Sequence, residues 1–295
     1  MTERVCCPWH DETKTRLKNA LTEDRLPHAL LIAGYPGWGE VQLGEWLALT
    51  LLECTGQQNA RELAHPDFRW IAPDGDVIKV EQIRELGEFT QGTAQIANAK
   101  VAIIEDADTM NVHAGNALLK TLEEPPGTTY LVLTSHRPGA LAATVRSRCQ
   151  RFDIVADAGQ AHAWLEERSA LRLMDDHGGG PLLALAAAES GERPMTEILA
   201  ELTGGKRAEV FAELFGEAPG QMSARWARCL VRAAAGEIEL PGLDSCETRR
   251  FFRFVDELWW FHREVTRSNS ANTRLLLERL MTKWCSLTVQ PSGRA

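Results

Sequence analysis

The sequence predicts an α/β domain with a parallel β-sheet in its first half and an all-α region in its second half. Two observations predict this class: short apolar segments alternate with amphipathic ones up to about residue 155, and strand-like segments stop there. Parallel strands need crossover connections that are usually helices, so the alternation is typical of a sheet covered on both faces. We expect an α/β domain at 1–156, a small helical domain at 157–203 and a helical C-terminal domain at 204–295.

Five buried strands are predicted from short runs rich in apolar and β-branched residues. They are ALLIAG at 29–34, DFRWIAP at 67–73, VAIIED at 101–106, YLVLTS at 130–135 and QRFDIV at 150–155. In a sheet of this kind, ligands bind at the carboxyl ends of the strands. The loop at 34–39, after the first strand, is therefore the first candidate site.

Amphipathic helices are predicted between the strands and beyond them. VEQIRELGEF, at 80–89, places its apolar residues on one face, and NVHAGNALLKTLEE, at 111–124, is stopped by Pro125 and Pro126. After residue 156, AGQAHAWLEERSALRLM and GGGPLLALAAAES predict short helices. ETRRFFRFVDELWWFHREVTR and NTRLLLERLMTKWCSL predict longer helices.

The predicted helix at 247–267 is apolar on more than one face. Its main stripe and the residues that widen it are Phe251, Val255, Leu258, His262 and Val265, and Phe252, Trp259 and Trp260. The stripe is interpreted as core. The wider apolar surface must be buried against something else, such as a partner protein.

Composition argues against several classes. The sequence lacks a run of about 18 apolar residues and a signal-peptide pattern, so we expect a cytoplasmic location and no membrane contact. Seven cysteines, an odd count without a C-x-x-C pair, suit neither a disulfide framework nor a zinc site. Cys6, Cys7 and His10 are interpreted as neighbours near a chain end rather than as metal ligands.

The charge is unevenly distributed along the chain. Residues 1–205 carry −12 and residues 206–295 carry +3, for a total of −9. Phosphate binding needs clustered cations. We therefore expect any contact with DNA to be indirect or confined to small patches.

The segment AGYPGWGEV, at 33–41, has the spacing of a phosphate loop, G-x-x-x-x-G-K-[S/T]. Gly34, Gly37 and Gly39 permit the backbone wrap that cradles an anion at a helix N-terminus. Glu40, however, replaces the lysine, and Val41 replaces the hydroxyl that holds Mg²⁺. A carboxylate about 4 Å from a phosphate reverses a term of roughly 4 kcal/mol at an effective dielectric near 20. ATP and Mg²⁺ are not expected to bind.

Two other motifs leave alternatives open when they are considered alone. An ATPase needs Asp and then Glu at the end of the third strand, whereas this sequence has Glu105 and then Asp106. TVRSRCQRF carries Arg146, Arg148 and Arg151, which fit either a solvated basic helix end or an arginine finger presented to another protein's triphosphate.

Six segments in order make the sequence resemble the clamp-loader AAA+ family over about 26–155. They are RLPHALLIAGYPGWG, HPDFRWIAP, IKVEQIREL, KVAIIEDAD, NALLKTLEEPPGTTYLVLTS and TVRSRCQRF. The resemblance implies an AAA+ domain, a helical lid and a helical collar. It also implies a subunit of an open ring that loads the sliding clamp onto primed DNA for DNA polymerase III.

The family contains motor subunits of the gamma/tau type and a stator-like type with a degenerate loop. Glu40 and Val41 are similar to the stator-like type, which implies that Arg148 of Ser147-Arg148-Cys149 is an arginine finger acting in trans. The implied partners are gamma/tau, the clamp-opening delta subunit and, indirectly, clamp and DNA, in a hetero-oligomeric ring. The chain alone is then not an enzyme. The alternatives are a weakly active motor-type ATPase and an AAA-like adaptor outside replication.

Three departures from the wider family pattern concern ligands. Leu182 stands where motor-type members have a lid arginine, and Thr134 and Ser135 stand at the polar sensor position. Many members bind zinc through four cysteines before the HPD strand, but Cys54 is alone in LLECTGQQNARELAHPD. We therefore expect no zinc and no other metal.

Overall fold

The computed structural model describes residues 6–54, 59–243, 246–267 and 272–288. The chain divides into two compact units, Met1–Trp164 and Leu165–Ala295. Unit 1 contains the sheet, and unit 2 is helical. The three-domain division at 156 and 203 stays a prediction.

The sheet of unit 1 has five strands in the order β2-β3-β4-β1-β5, and every pairing is parallel. The strands lie within a residue or two of their predicted places: β1 Ala29–Ala33, β2 Phe68–Ile71, β3 Lys100–Ile104, β4 Thr129–Ser135 and β5 Gln150–Asp153. β1 and β3 are buried at every position, whereas the edge strands β2 and β5 carry exposed residues. Continuous apolar runs are expected for parallel strands covered on both faces. The predicted α/β fold class is confirmed.

The helices of unit 1 connect these strands. They are α1 Asp11–Thr22, α2 Glu40–Leu51, α3 Val80–Gln91, α4 Val112–Glu123 and α5 Ala143–Arg146, and α6 Ala158–Glu166 follows β5. α3 and α4 bury Ile83, Leu86, Leu118 and Leu122 in one cluster with the sheet. Asn111 caps α4 by accepting a hydrogen bond from the backbone N–H of Ala114 at 2.8 Å.

A close approach fixes α2 on the sheet. A Cβ added at Gly44 would lie 3.1 Å from Cγ2 of Thr134 and 3.4 Å from Cγ1 of Val132. Only a residue without a side chain lets the helix lie this near to β4. The N-terminus of α2 is thereby held at the carboxyl edge of the sheet, next to the ends of β1 and β4.

In the described residues of unit 2, six further helices follow α6. They are α7 Pro181–Glu189, α8 Met195–Thr203, α9 Arg207–Gly216, α10 Pro219–Ala234, α11 Thr248–Arg267 and α12 Thr273–Thr288. α8 and the four helices after it share one apolar cluster around Trp226 and Trp284, whose rings meet edge to face at 5.8 Å. Within the described ranges, no helix combines the length and apolarity needed to cross a bilayer.

The buried face of α11 overlaps the stripe predicted for it but is shifted. Leu258 is buried as expected, and Phe251, Val255 and Val265 are partly buried against the same core. The other buried residues are Phe254 and Phe261. Phe252 and Trp259 keep 54% and 47% of their surface exposed. The aromatic residues of α11 lie on several of its faces, so the apolar periodicity does not select one face. Contacts with α10 and α12 decide which face is buried.

Candidate functional site

The loop between β1 and α2 keeps the backbone path of a phosphate loop. Gly37 and Gly39 have φ values of 80° and 88°, which glycine adopts without steric cost. The backbone N–H of Leu43 donates to the carbonyl of Gly39 at 3.0 Å as α2 begins. Gly34 N–H donates to the carbonyl of Ser135 at 3.3 Å, which joins the loop to the end of β4.

The N-terminal segment anchors this loop. Trp38 is buried, and its carbonyl accepts hydrogen bonds from Nε1 of Trp9 and Nε2 of His10, both at 2.8 Å. A carbonyl can only accept, so Nε2 of His10 carries the proton. Burial lowers the pKa of His10 to about 4, and the ring is neutral at pH 7. His10 is thus used to hold the loop.

Glu40 places its carboxylate inside the loop. The residue is 8% exposed, and Oε2 has no hydrogen-bond partner among the described residues. A Cβ added at Gly34 would lie 3.6 Å from Oε2, which locates this oxygen beneath the first loop glycine. Burial raises the pKa of Glu40 and nearby Asp106 and Glu105 raise it further, while its own backbone N–H and His136 lower it.

These residues do not fit the Mg²⁺–triphosphate that the fold class implies. A phosphate loop needs a cation where Glu40 stands, and Glu40 instead offers an acidic, buried oxygen. Val41 has no oxygen to coordinate Mg²⁺. The backbone could still surround an anion, but the adjacent carboxylate opposes one.

The two acids after β3 point to different partners. Glu105 accepts a hydrogen bond from Nε1 of Trp70 at 3.0 Å and forms an ion pair with Arg61, so it ties β3 to its neighbours. Asp106 has a left-handed backbone with φ of 46°, and its N–H donates to Oγ1 of Thr134 at 3.3 Å. Its Oδ1 lies 3.3 Å from Nδ1 of His136. Only Asp106 of this pair contacts the residue that follows β4.

The polar residues at the sensor position have partners within the fold. Thr134 accepts from Asp106, and Oγ of Ser135 donates to Oδ1 of Asp108 at 2.6 Å. Arg137 donates to the other oxygen of Asp108 at 2.9 Å. Neither Asp108 nor His136 is predicted as a site residue from the sequence. Their signal was position alone, since both follow strands at the carboxyl edge of the sheet.

Arg148 lies just after α5 and contacts α4. Its Nε donates to Oε1 of Glu123 at 2.8 Å, and NH1 donates to the carbonyl of Thr144 at 2.9 Å. Its side chain keeps 35% of its surface exposed. Glu123 belongs to the LLKTLEEPP segment, so the structure brings two of the family's segments into direct contact.

The residues around Arg148 have different settings. Cys149 packs beside the α3–α4 core, and burial raises the pKa of its thiol to about 11, which leaves it protonated at pH 7. Ser147 donates to the carbonyl of Thr144 at 3.1 Å. Arg146 donates to the carbonyl of Pro138 at 3.3 Å, and Arg151 donates to Asp153 at 2.7 Å.

Two other predicted positions are half-buried. Leu182 lies on α7 in unit 2. Cys54 follows α2, and its thiol donates to the carbonyl of Leu52 at 3.4 Å. Residues 55–58, which follow Cys54 in the segment LLECTGQQNARELAHPD, lie outside the described residues. The expectation that zinc is not bound there stays a prediction.

The parallel sheet, the glycine-bearing loop that leads into α2 and the acids after β3 define a P-loop-type fold of the AAA+ class with altered nucleotide-binding side chains. The family described as "DNA polymerase III, delta subunit" matches residues 9–158. DNA polymerase III subunit delta' of Pseudomonas aeruginosa is 32% identical over 88% of this chain and 92% of its own length. The Escherichia coli subunit delta' is 33% identical over 66% of this chain and 64% of its own length. The chain belongs to the DNA polymerase III delta' family.

Other subunits of DNA polymerase III are also related to the chain. Subunits named tau or tau/gamma are 30–34% identical over 48–63% of this chain. A solved structure of a DNA polymerase III gamma subunit-related protein from Thermotoga maritima has a TM-score of 0.58 at 20% identity and covers 95% of this chain and 100% of its own. This structure shows the shared fold. The resemblance to clamp-loader AAA+ proteins is confirmed.

Proposed function

We propose that this chain is a non-hydrolysing, stator-like subunit of the DNA polymerase III clamp loader. The observation that carries the proposal is Glu40, a buried acid at the position of the phosphate-loop lysine. The charge term of roughly 4 kcal/mol corresponds to about a thousandfold loss in ATP affinity. On this proposal the chain alone does not hydrolyse ATP and binds neither ATP nor Mg²⁺ tightly.

The second part of the proposal is that Arg148 completes a neighbouring motor subunit's active site. Its partly exposed guanidinium is held by Glu123, whose side chain is 50% exposed. Exposed ion pairs contribute roughly 0.2–1 kcal/mol, so a neighbour's triphosphate can compete for this arginine at little cost. An arginine finger contributes about 10³–10⁵ in turnover, which exceeds that cost by several kcal/mol.

The proposed partners are the gamma/tau motor subunit and the clamp-opening delta subunit in a hetero-oligomeric ring. The exposed aromatic side chains of α11, Phe252 and Trp259, offer an apolar surface of the kind that subunit interfaces bury. The sliding clamp and primed DNA would be reached indirectly, because residues 1–205 carry a net charge of −12. The proposed location is the cytoplasm.

The test is the DNA- and clamp-stimulated ATPase of a loader reconstituted with this chain. Arg148→Ala is compared with wild type, and Arg146→Ala is the matched control because Arg146 is exposed nearby and bonds only the carbonyl of Pro138 in the described structure. We expect Arg148→Ala to assemble normally and to lower turnover at one motor site at least tenfold, about 1.4 kcal/mol. Unchanged turnover in an assembled ring would reject the finger.

A further inference from the structure

We infer that Glu40, Asp106 and His136 form a binding site for a divalent first-row transition ion of the Zn²⁺ type. One potential ligand atom from each residue lies within 4.8 Å of the other two. The inference goes beyond the proposed function and does not depend on it. It departs from the sequence-based expectation of no metal, which considered cysteines.

The three ligands come from the elements that meet at the carboxyl edge of the sheet. Glu40 begins α2, Asp106 follows β3 and His136 follows β4. In a working ATPase, the lysine, the acids and the polar sensor at these places converge on a nucleotide's phosphates. In this chain the same convergence brings together two carboxylates and an imidazole, which are ligands for a cation.

A separate observation at Glu40 points to a cation as its partner. More than nine-tenths of this residue is buried, and Oε2 has no hydrogen-bond partner among the described residues. A buried carboxylate is costly unless it is paired or coordinates a metal. The nearby charges that act on Glu40 are His136, Asp106 and Glu105, and Glu105 already pairs with Arg61. A cation would compensate both Glu40 and Asp106.

The donor set and spacing favour Zn²⁺ over Mg²⁺. Imidazole suits Zn²⁺ and related ions, whereas Mg²⁺ prefers oxygen ligands and octahedral geometry. Two ligands about 2.0 Å from a tetrahedral ion are roughly 3.3 Å apart. Nδ1 of His136 and Oδ1 of Asp106 are already 3.3 Å apart. A small movement of Glu40 would bring a third ligand to the same ion.

The ion would have a route from solvent. A cavity of about 330 Å³ opens beside the loop, and Gly34, Tyr35 and His136 contribute to its wall. Tyr35 is 69% exposed, which marks the mouth of this cavity. His136 and Asp106 keep 29% and 32% of their side-chain surfaces exposed, leaving room for water as a fourth ligand.

The test is a calorimetric titration of the full chain with Zn²⁺ alone. The chain is first treated with a chelator to remove metals. We expect one ion per chain with a Kd below about 10 μM. Glu40→Gln and His136→Asn should each weaken binding at least tenfold. His113→Asn is the matched control, because His113 is an exposed histidine on α4 and should bind as wild type does.

A spectroscopic measurement identifies the ligands independently. Co²⁺ in the wild-type site should give the visible absorption of a four- or five-coordinate ion with oxygen and nitrogen ligands, without a thiolate charge-transfer band. Circular dichroism establishes that each variant is folded, and if one variant is unfolded, the other carries the test. Mg²⁺ at equal concentration should not displace Zn²⁺.

Four results would overturn the inference. They are the absence of stoichiometric binding, binding that both variants leave unchanged, a thiolate band in the Co²⁺ complex, and equal affinity for Mg²⁺. Loader assembly and the Arg148 experiment do not depend on any of them.

Discussion

The loop at 34–40 and the Ser147-Arg148-Cys149 segment differ in burial and in charge. The loop is anchored by hydrogen bonds to the carbonyl of its own Trp38 and contains a buried acid, whereas Arg148 is partly exposed and held by an exposed glutamate. A ring ATPase divides its site between two subunits, with the phosphate loop in one and the arginine in the other. On the proposed function, this chain has changed the half that would serve itself and has kept the half that would serve a neighbour.

The largest expected effect comes from restoring the side chains of the loop. Glu40→Lys combined with Val41→Thr should raise the affinity for Mg²⁺–ATP, because it reverses a charge term of roughly 4 kcal/mol in a loop that keeps its backbone path. Binding of a fluorescent ATP analogue measures the gain, which we expect to be at least tenfold.

Gln42→Lys is the control for this experiment, since it places a lysine on α2 outside the loop; it changes the net charge by +1, whereas Glu40→Lys changes it by +2. A restored loop that binds no better than this control would mean that its backbone, rather than Glu40, excludes ATP. The shape of the loop backbone, and not the charge of Glu40, would then distinguish this loop from one that binds ATP.

A smaller effect is expected from the histidine that anchors the loop. Folding lowers the pKa of His10 from 6.5 to about 4, so the unfolded chain binds the proton more tightly. The contribution of the neutral His10 ring to the free energy of unfolding is therefore fully present above pH 6.5 and is lost as the pH falls towards 4. The total loss is about 3 kcal/mol. Urea unfolding as a function of pH measures it.

His10→Gln should remove most of this pH dependence, while His162→Gln, at an exposed histidine on α6, should keep it. If wild type and His10→Gln have the same slope between pH 6.5 and 4, His10 does not hold the loop through its neutral ring.

The smallest effects are expected on stability, from removing the charge of the buried Glu40 or of the exposed Glu123. In chelator at pH 8, Glu40→Gln should stabilise the chain by about 1 kcal/mol, because it removes a charge from a buried, unpaired oxygen. Glu123→Gln should change stability by at most about 0.5 kcal/mol, because its pair with Arg148 is exposed. Thermal unfolding measures both.

The pH dependence of this stability difference tests whether the charge of Glu40 causes it. Folding raises the pKa of Glu40, so the wild-type carboxylate destabilises the fold as the pH rises through that pKa. The advantage of Glu40→Gln should therefore shrink as the pH falls and disappear below the ordinary value of 4.5. An advantage that stays constant with pH would show that charge is not its cause.

The sequence predicted the sheet well because continuous apolar runs such as those of β1 and β3 are a local signal of buried parallel strands. It also predicted the altered loop, since Glu40 and Val41 interrupt a motif of fixed spacing. It did not indicate that Asp106 and His136 would meet Glu40, because strand order and helix placement set distances between residues far apart in the chain. On α11, aromatic residues on several faces gave periodicity no single solution.

The hydrogen bonds from Trp9 and His10 to the carbonyl of Trp38 have an evolutionary consequence. They tie the loop backbone to the N-terminal segment, so a change in the loop's path would lose these hydrogen bonds whether or not a nucleotide binds. A site maintained in this way can accumulate changes in its side chains while its backbone persists. The loop is then available for a new ligand without any change of fold.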